Sequence, residues 1–270
     1  MSNNLSTTPP ATRPLPDVAA QREIARLCAQ TGLMLMQHGA ESALVESITR
    51  RLGISLGADS VEAAIMANAL TVTVLCGTKS TTTVRRNEDR GINMHMVTEV
   101  QRAMLDVESG ALDMAGYRSR LEELRPLRYP RWLLAVGIGL SCAAFAALAG
   151  GDLATCVVVA LAGAAGMLVR LTLAAFHFNP LVNFFVAAFT ATSVAVQGVL
   201  HQWCGSPRIA LASCVLLLVP GFPLINGVSD MVKGYMNTGL SRLMMATLLA
   251  AATCAGIMLS MQVWNVWGWL

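Results

Sequence analysis

Residues 216–230 read LLLVPGFPLINGVSD. The run is apolar enough to sit in a bilayer, yet Pro220 and Pro223 break it around Gly221. Proline removes a backbone donor and clashes with the carbonyl one turn back. Hydrocarbon offers the freed groups no partner, so a broken segment persists only packed in protein or beside a wet cavity. Asn226 and Asp230 follow the break as polar groups near membrane depth. A broken helix with a nearby carboxylate is a common way to build a solute site. The plainer reading is a structural kink with Asp230 at the water interface.

Outward from this stretch the chain divides in two. It has 270 residues, 54% of them hydrophobic and 13% charged. Of its 19 Lys and Arg, 15 lie in residues 1–131, as do 14 of its 16 Asp and Glu. Residues 132–270 keep only Asp152, Arg170, Arg208, Asp230, Lys233 and Arg242. That distribution describes a soluble front and a membrane back. The expected fold is an α-helical integral membrane protein: a five-helix transmembrane bundle (127–270) after a small α+β cytoplasmic domain (17–126). Apolar segments lie near 133–149, 153–170, 181–200, 209–226 and 243–263. Each can cross a core of about 30 Å at about 1.5 Å per residue. Arg118, Arg120, Arg125, Arg128 and Arg131, with Tyr129 and Trp132, read as a juxtamembrane anchor on the cytoplasmic side. The positive-inside rule then puts 150–152 and 201–208 outside, Arg170, Lys233 and Arg242 inside, and the C-terminus outside. Arg208 alone falls on the wrong side. Small residues at Gly137/Ser141, Ala162/Gly166 and Ala187/Ala191/Ala195 predict close helix approach, with Asn183 and Gln197 as interhelical hydrogen-bonders.

The front is less distinctive. Residues 1–16 are polar and proline-rich and read as a disordered tail, not a signal peptide. Asp17 can cap a helix running to about Gln37, which Gly39 ends; a second helix follows over about 41–52. Val61–Ile65 is a weak strand, and Leu70–Leu75 with Ser80–Arg85 reads as a hairpin about Cys76–Lys79. Helices resume over about 94–108 and 113–124. His38 and Glu41 mark a helix corner. The cluster Arg85, Arg86, Glu88, Asp89, Arg90, Asn93 and His95 suits an anion or partner contact, but a solvated loop with mutually paired charges is favoured. Asp89 with His95 is the weaker acid–base alternative.

Several classes drop out. The net charge of +3 is too small and too dispersed for nucleic acid. Seven scattered cysteines form no CxxC or zinc spacing, so no disulfide, metal or other cofactor is expected. No P-loop, GxGxxG or nucleophile–base pair is present, which argues against an enzyme. A membrane-anchored regulatory protein stays open, although an anchor needs no broken, polar-bearing segment.

Four stretches carry a resemblance: QHGAESALVE (37–46), NEDRGINMHMVTEVQ (87–101), LRYPRW (127–132) and LLLVPGFPLINGVSDMVKGYMNTGLSR (216–242). Together they resemble the threonine/serine exporter (ThrE) family, and within it the long subunits of the YjjP type, from about residue 20 to the end. The resemblance implies a cytoplasmic N-terminal domain, a bundle in the bacterial inner membrane, and secondary export of small metabolites. It implies a separate short membrane subunit of the YjjB type as partner, with a higher oligomer open. It also implies succinate or a similar C4-dicarboxylate as solute, with threonine or serine as the alternative. A dianion needs partners in low dielectric. The candidates are the broken segment (Pro220, Gly221, Pro223, Asn226), where the prolines leave amide groups exposed that could hold a carboxylate, and Arg170 at the inner mouth. Asp230 would repel an anion unless protonated, so proton handling suits it better. His177 is read as interfacial.

Overall fold

The computed structural model describes residues 17–88 and 90–267. The tail at 1–16, Asp89 and the last three residues lie outside them. The chain forms two compact units: one runs to Leu127 and takes in Ser229–Gly239, the other comprises Arg128–Val228 and the chain from Leu240.

The first unit is α+β. Helix α1 (Val18–Gln37) starts where Asp17 accepts from the Val18 amide at 2.6 Å. It ends in a left-handed turn at Gly39 (φ 91°), with the Ala40 amide on the Leu35 carbonyl at 3.0 Å. Helix α2 covers Ser42–Ser55. Strands β1 (Ser60–Ile65), β2 (Ala69–Cys76) and β3 (Lys79–Arg86) form an antiparallel sheet in sequence order. The β2–β3 turn is only Gly77-Thr78, with Gly77 at φ 58°. Alternation in β2 sends Leu70, Val72, Val74 and Cys76 inward and leaves Thr71 and Thr73 on the other face. Those inward residues meet Ile24, Leu27 and Cys28 of α1, Val45, Ile48 and Leu52 of α2, and Val100 and Met104 of α3 (Met94–Glu108) in one core. Helix α4 (Met114–Glu123) adds Tyr117, whose hydroxyl shares a 2.8 Å hydrogen bond with Thr31. Burial pushes the Tyr117 hydroxyl well above the ordinary tyrosine range.

The second unit is helical. Helices α5 (Arg131–Leu148), α6 (Leu153–Ala175), α7 (Pro180–Leu200) and α10 (Met236–Val263) are long and apolar enough to cross a membrane. Helix α7 is 56% buried over its apolar window and the others 22–28%, so α7 is the central helix of this group. The remaining apolar segment, expected at 209–226, is three pieces: α8 (Pro207–Ser213), a 3-10 turn (Leu216–Leu218) and α9 (Gly221–Val232).

Small residues set the packing, though not all at the expected places. A Cβ on Gly166 would stand 2.9 Å from the Ala191 Cβ, and Ala187, Ala191 and Ala195 are buried. At Gly137, by contrast, a Cβ would meet nothing within 4 Å. The close approach of α5 to α6 is made by Gly139, where a Cβ would lie 2.5 Å from the Ala160 carbonyl oxygen.

Candidate functional site

The first of two polar centres lies at the α1–α2 corner. Helix α2 begins after Glu41, which gives no side-chain cap to the amides of the first turn. The cap comes from far along the chain. Asp230 is fully buried; its Oδ1 accepts from the Ser42 amide and its Oδ2 from the Ser42 hydroxyl, each at 2.9 Å. A carboxylate there meets free amides and the positive end of the helix dipole. Around it Lys233 pairs with Glu41, and the Tyr235 hydroxyl donates to Glu46. The Thr238 hydroxyl donates to the Ile65 carbonyl at 3.1 Å. Burial first, then the bond to Glu46 and the charges of Glu46 and Asp230, push the Tyr235 hydroxyl up to about 12. The hydroxyl therefore stays a donor at any physiological pH.

The turn that presents these groups follows from sequence. Gly234 adopts φ 92°; its amide reaches Met231 at 3.1 Å and the Tyr235 amide reaches the Asp230 carbonyl at 2.8 Å. This is the paired C-terminal cap that a left-handed glycine permits.

The same corner gathers the other charged stretch. The Arg90 and Asn93 amides donate to the Gln37 and His38 carbonyls at 3.2 and 3.1 Å. The Asn93 side chain caps α3 through Met96 and donates to the Leu127 carbonyl. Of the Arg85–His95 charges, Arg86 and Glu88 form an exposed ion pair at 4.0 Å, in keeping with the solvated-loop reading. The acid–base alternative rested on Asp89, outside the described residues. His38 is buried, with Nδ1 2.7 Å from the Met34 carbonyl oxygen.

The second centre is the broken segment. Helix α8 ends at Ser213, and Pro220 is non-helical and buried. Helix α9 starts at Gly221, its first internal bond running from the Leu224 amide to the Pro220 carbonyl at 3.2 Å. The break thus lies over 214–220 and not symmetrically about Gly221. Pro223 sits in the first turn of α9, where an amide would have no helical partner anyway. A Cβ on Gly221 would meet nothing within 4 Å, and Asn226 is buried. Cys214 and Leu218 border a void of ≈ 10 Å³ shared with Gly163, Gly166 and Ala191, room for about one water.

Arg170 lies in the second unit, before the end of α6 rather than at it. Its guanidinium carbon stands 4.4 Å from the centre of the Phe184 ring of α7. No carboxylate pairs with it among the described residues. Asn183, next to Phe184, gives its amide to the Phe178 carbonyl at 3.3 Å, while its Oδ1 and the Gln197 Nε2 have no partner among the described residues. The interhelical bond expected of these two is made instead by Ser193 and Ser260, at 2.9 Å.

The candidate residues are therefore not all in one place. Pro220, Gly221, Pro223, Asn226 and Arg170 belong to the second unit, whereas Asp230 belongs to the first. Sequence reasoning passed over Ser42, Glu46 and Tyr235. Their one signal was membership, with Asp230, of the stretches 37–46 and 216–242. Arg118 and Arg120, expected among the membrane anchors, do not belong to that group. They pair with Glu23, Glu122 and Glu99 inside the first unit, which leaves Arg125, Arg128 and Arg131 exposed beside Tyr129 and Trp132.

Comparison with known proteins identifies a family. Residues 26–264 match the family model ThrE, described as "Putative threonine/serine exporter". The chain is 48% identical to the "Probable succinate transporter subunit YjjP" of Escherichia coli, over 93% of this chain and 98% of that one. It is 47% identical to the protein of the same description from Klebsiella aerogenes, over 94% and 98%. It is 31% identical to the "Probable threonine/serine exporter" of Mycobacterium tuberculosis, over 73% of this chain and 37% of that one. No solved structure matches. With its apolar helices and these relatives, the chain belongs to the threonine/serine exporter (ThrE) family, as a multi-pass membrane transport protein and not an enzyme.

Proposed function

We propose that the chain is the long subunit of a two-part exporter of succinate or a similar C4-dicarboxylate, working in a bacterial inner membrane with a short subunit of the YjjB type. The observation that carries the anionic solute is Arg170. It is a half-buried cation in an apolar helix, over an aromatic ring, with no carboxylate partner among the described residues. An unpaired charge at that depth is costly unless an anion visits it. The names of the Escherichia coli and Klebsiella aerogenes relatives point the same way. The first turn of α9, which begins at Gly221, supplies the second carboxylate contact. The void at the break holds no dicarboxylate as it stands, so the solute path requires movement of the segment or completion by the partner. Asp230 is the candidate for proton handling, because taking up a proton would weaken its hold on Ser42.

The test is flux of labelled succinate against labelled threonine from proteoliposomes, with and without the short subunit. We expect succinate to move only with the partner, and Arg170→Gln to raise half-saturation roughly tenfold or more. Asp230→Asn should flatten the pH dependence of flux. Threonine flux untouched by Arg170→Gln would replace the dicarboxylate with an amino acid, in line with the Mycobacterium tuberculosis relative.

A further inference from the structure

Helix α9 is held very differently at its two ends. Its beginning follows a break in the helix: Pro220 is buried but non-helical, and a Cβ on Gly221 would meet nothing within 4 Å. Its end is fixed: Asp230 is fully buried with both oxygens on Ser42, and Gly234 closes the helix with two backbone bonds. Immediately beyond, Lys233 meets Glu41, Tyr235 meets Glu46, and Thr238 meets the open edge of β1. These links join residues 173 to 192 positions apart, and all lie within the first unit. The exposed Lys233–Glu41 pair by itself contributes little. The Asp230–Ser42 bonds are shielded from water and charge-assisted, and each is worth several times as much.

We infer that Ser42 and Glu46 are positioning residues for transport: they anchor the Ser229–Gly239 segment, and with it the end of α9. The inference rests on the transport reading above and deepens it. It assigns the first unit a task, that of holding the C-terminal end of α9. Neither residue touches the solute. Helix α2 gains in return, because the cap its own Glu41 does not provide comes from Asp230.

The experiment uses the full chain with its short partner in proteoliposomes. Ser42→Ala removes the hydroxyl donor, Tyr235→Phe the donor to Glu46, and the double variant both; Glu46→Gln keeps an acceptor for Tyr235. Amide hydrogen exchange is followed in residues 42–45 and 233–239, with the β2–β3 hairpin as a folding control. In the double variant, exchange at those amides should rise about tenfold or more while the hairpin stays protected. Maximal flux of labelled succinate should fall at least about fivefold with half-saturation unchanged. Glu46→Gln should retain both protection and flux. Raised exchange with flux at the original rate would overturn the positioning role, and unchanged exchange would show that the contact is not made in the membrane. Wild-type protein that moves neither succinate nor threonine would instead remove the transport reading, and this inference with it.

Discussion

Asp230 shows how a single residue's meaning depends on its partner. A carboxylate near an apolar run reads as a proton relay, and burial supports its importance. The structure adds what it touches: the amide and hydroxyl of Ser42. Glycines behave similarly. Gly53 lies in α2, where glycine is locally unfavourable, and its reason is contact. A Cβ there would fall 2.3 Å from the Val61 Cγ2 and 3.1 Å from the Cys28 Sγ. Gly53→Ala should therefore destabilise the chain by about 1–3 kcal/mol despite the gain in helix propensity. Thermal unfolding in detergent checks this; a midpoint at or above the wild type would mean that β1 gives way at no cost.

At the scale of elements, the broken segment carries the functional argument. Two prolines three residues apart look equivalent in sequence, yet only Pro220 stands where the helix is interrupted. Pro223 occupies a first-turn position at which a missing amide costs nothing. Pro220→Ala should let α9 extend backwards and reduce flux by about tenfold or more, since an interior proline is worth about 3 kcal/mol against helix. Pro223→Ala should change flux less than about twofold, within the range of ordinary partly exposed substitutions. Equal loss in both single variants would mean that the prolines act by something other than interrupting the helix. Expected helix ends at Asp17 and Gly39 were legible because capping is local: it needs only the residue and its neighbours. The interface glycines were not, because Gly137 and Gly139 differ by one position, and only the partner helix determines which of them faces inward.

At the scale of the whole molecule, connectivity restricts the topology. Three crossings by α5, α6 and α7 would leave residues 201–208 on the side opposite the start of α5. Residues 229–239 nonetheless pack into the same unit as residues 17–127. We therefore expect the pieces α8, the 3-10 turn and α9 to make a passage of their own, with α10 crossing after them. Cys204 is a poor reporter because it is buried. His201→Cys, at an exposed position and in a background with the native cysteines replaced, should label from the side opposite residues 229–239. Labelling of His201→Cys from the same side as a second single cysteine placed at the exposed Lys233 would overturn this topology.

By itself the sequence determined the partition into a charged front and an apolar back, the helices and hairpin of the front, the interruption near Pro220 and the family likeness. All of these are carried by composition, periodicity and neighbouring residues. Only the tertiary structure decided that the stretch 37–46 receives Asp230, Lys233 and Tyr235, that Arg170 lies over Phe184 without a carboxylate partner among the described residues, and which small residues meet. The reason is physical. Hydrophobic period and capping act over one or two turns, whereas a contact 188 residues distant in sequence is selected by the packed fold and leaves no local trace.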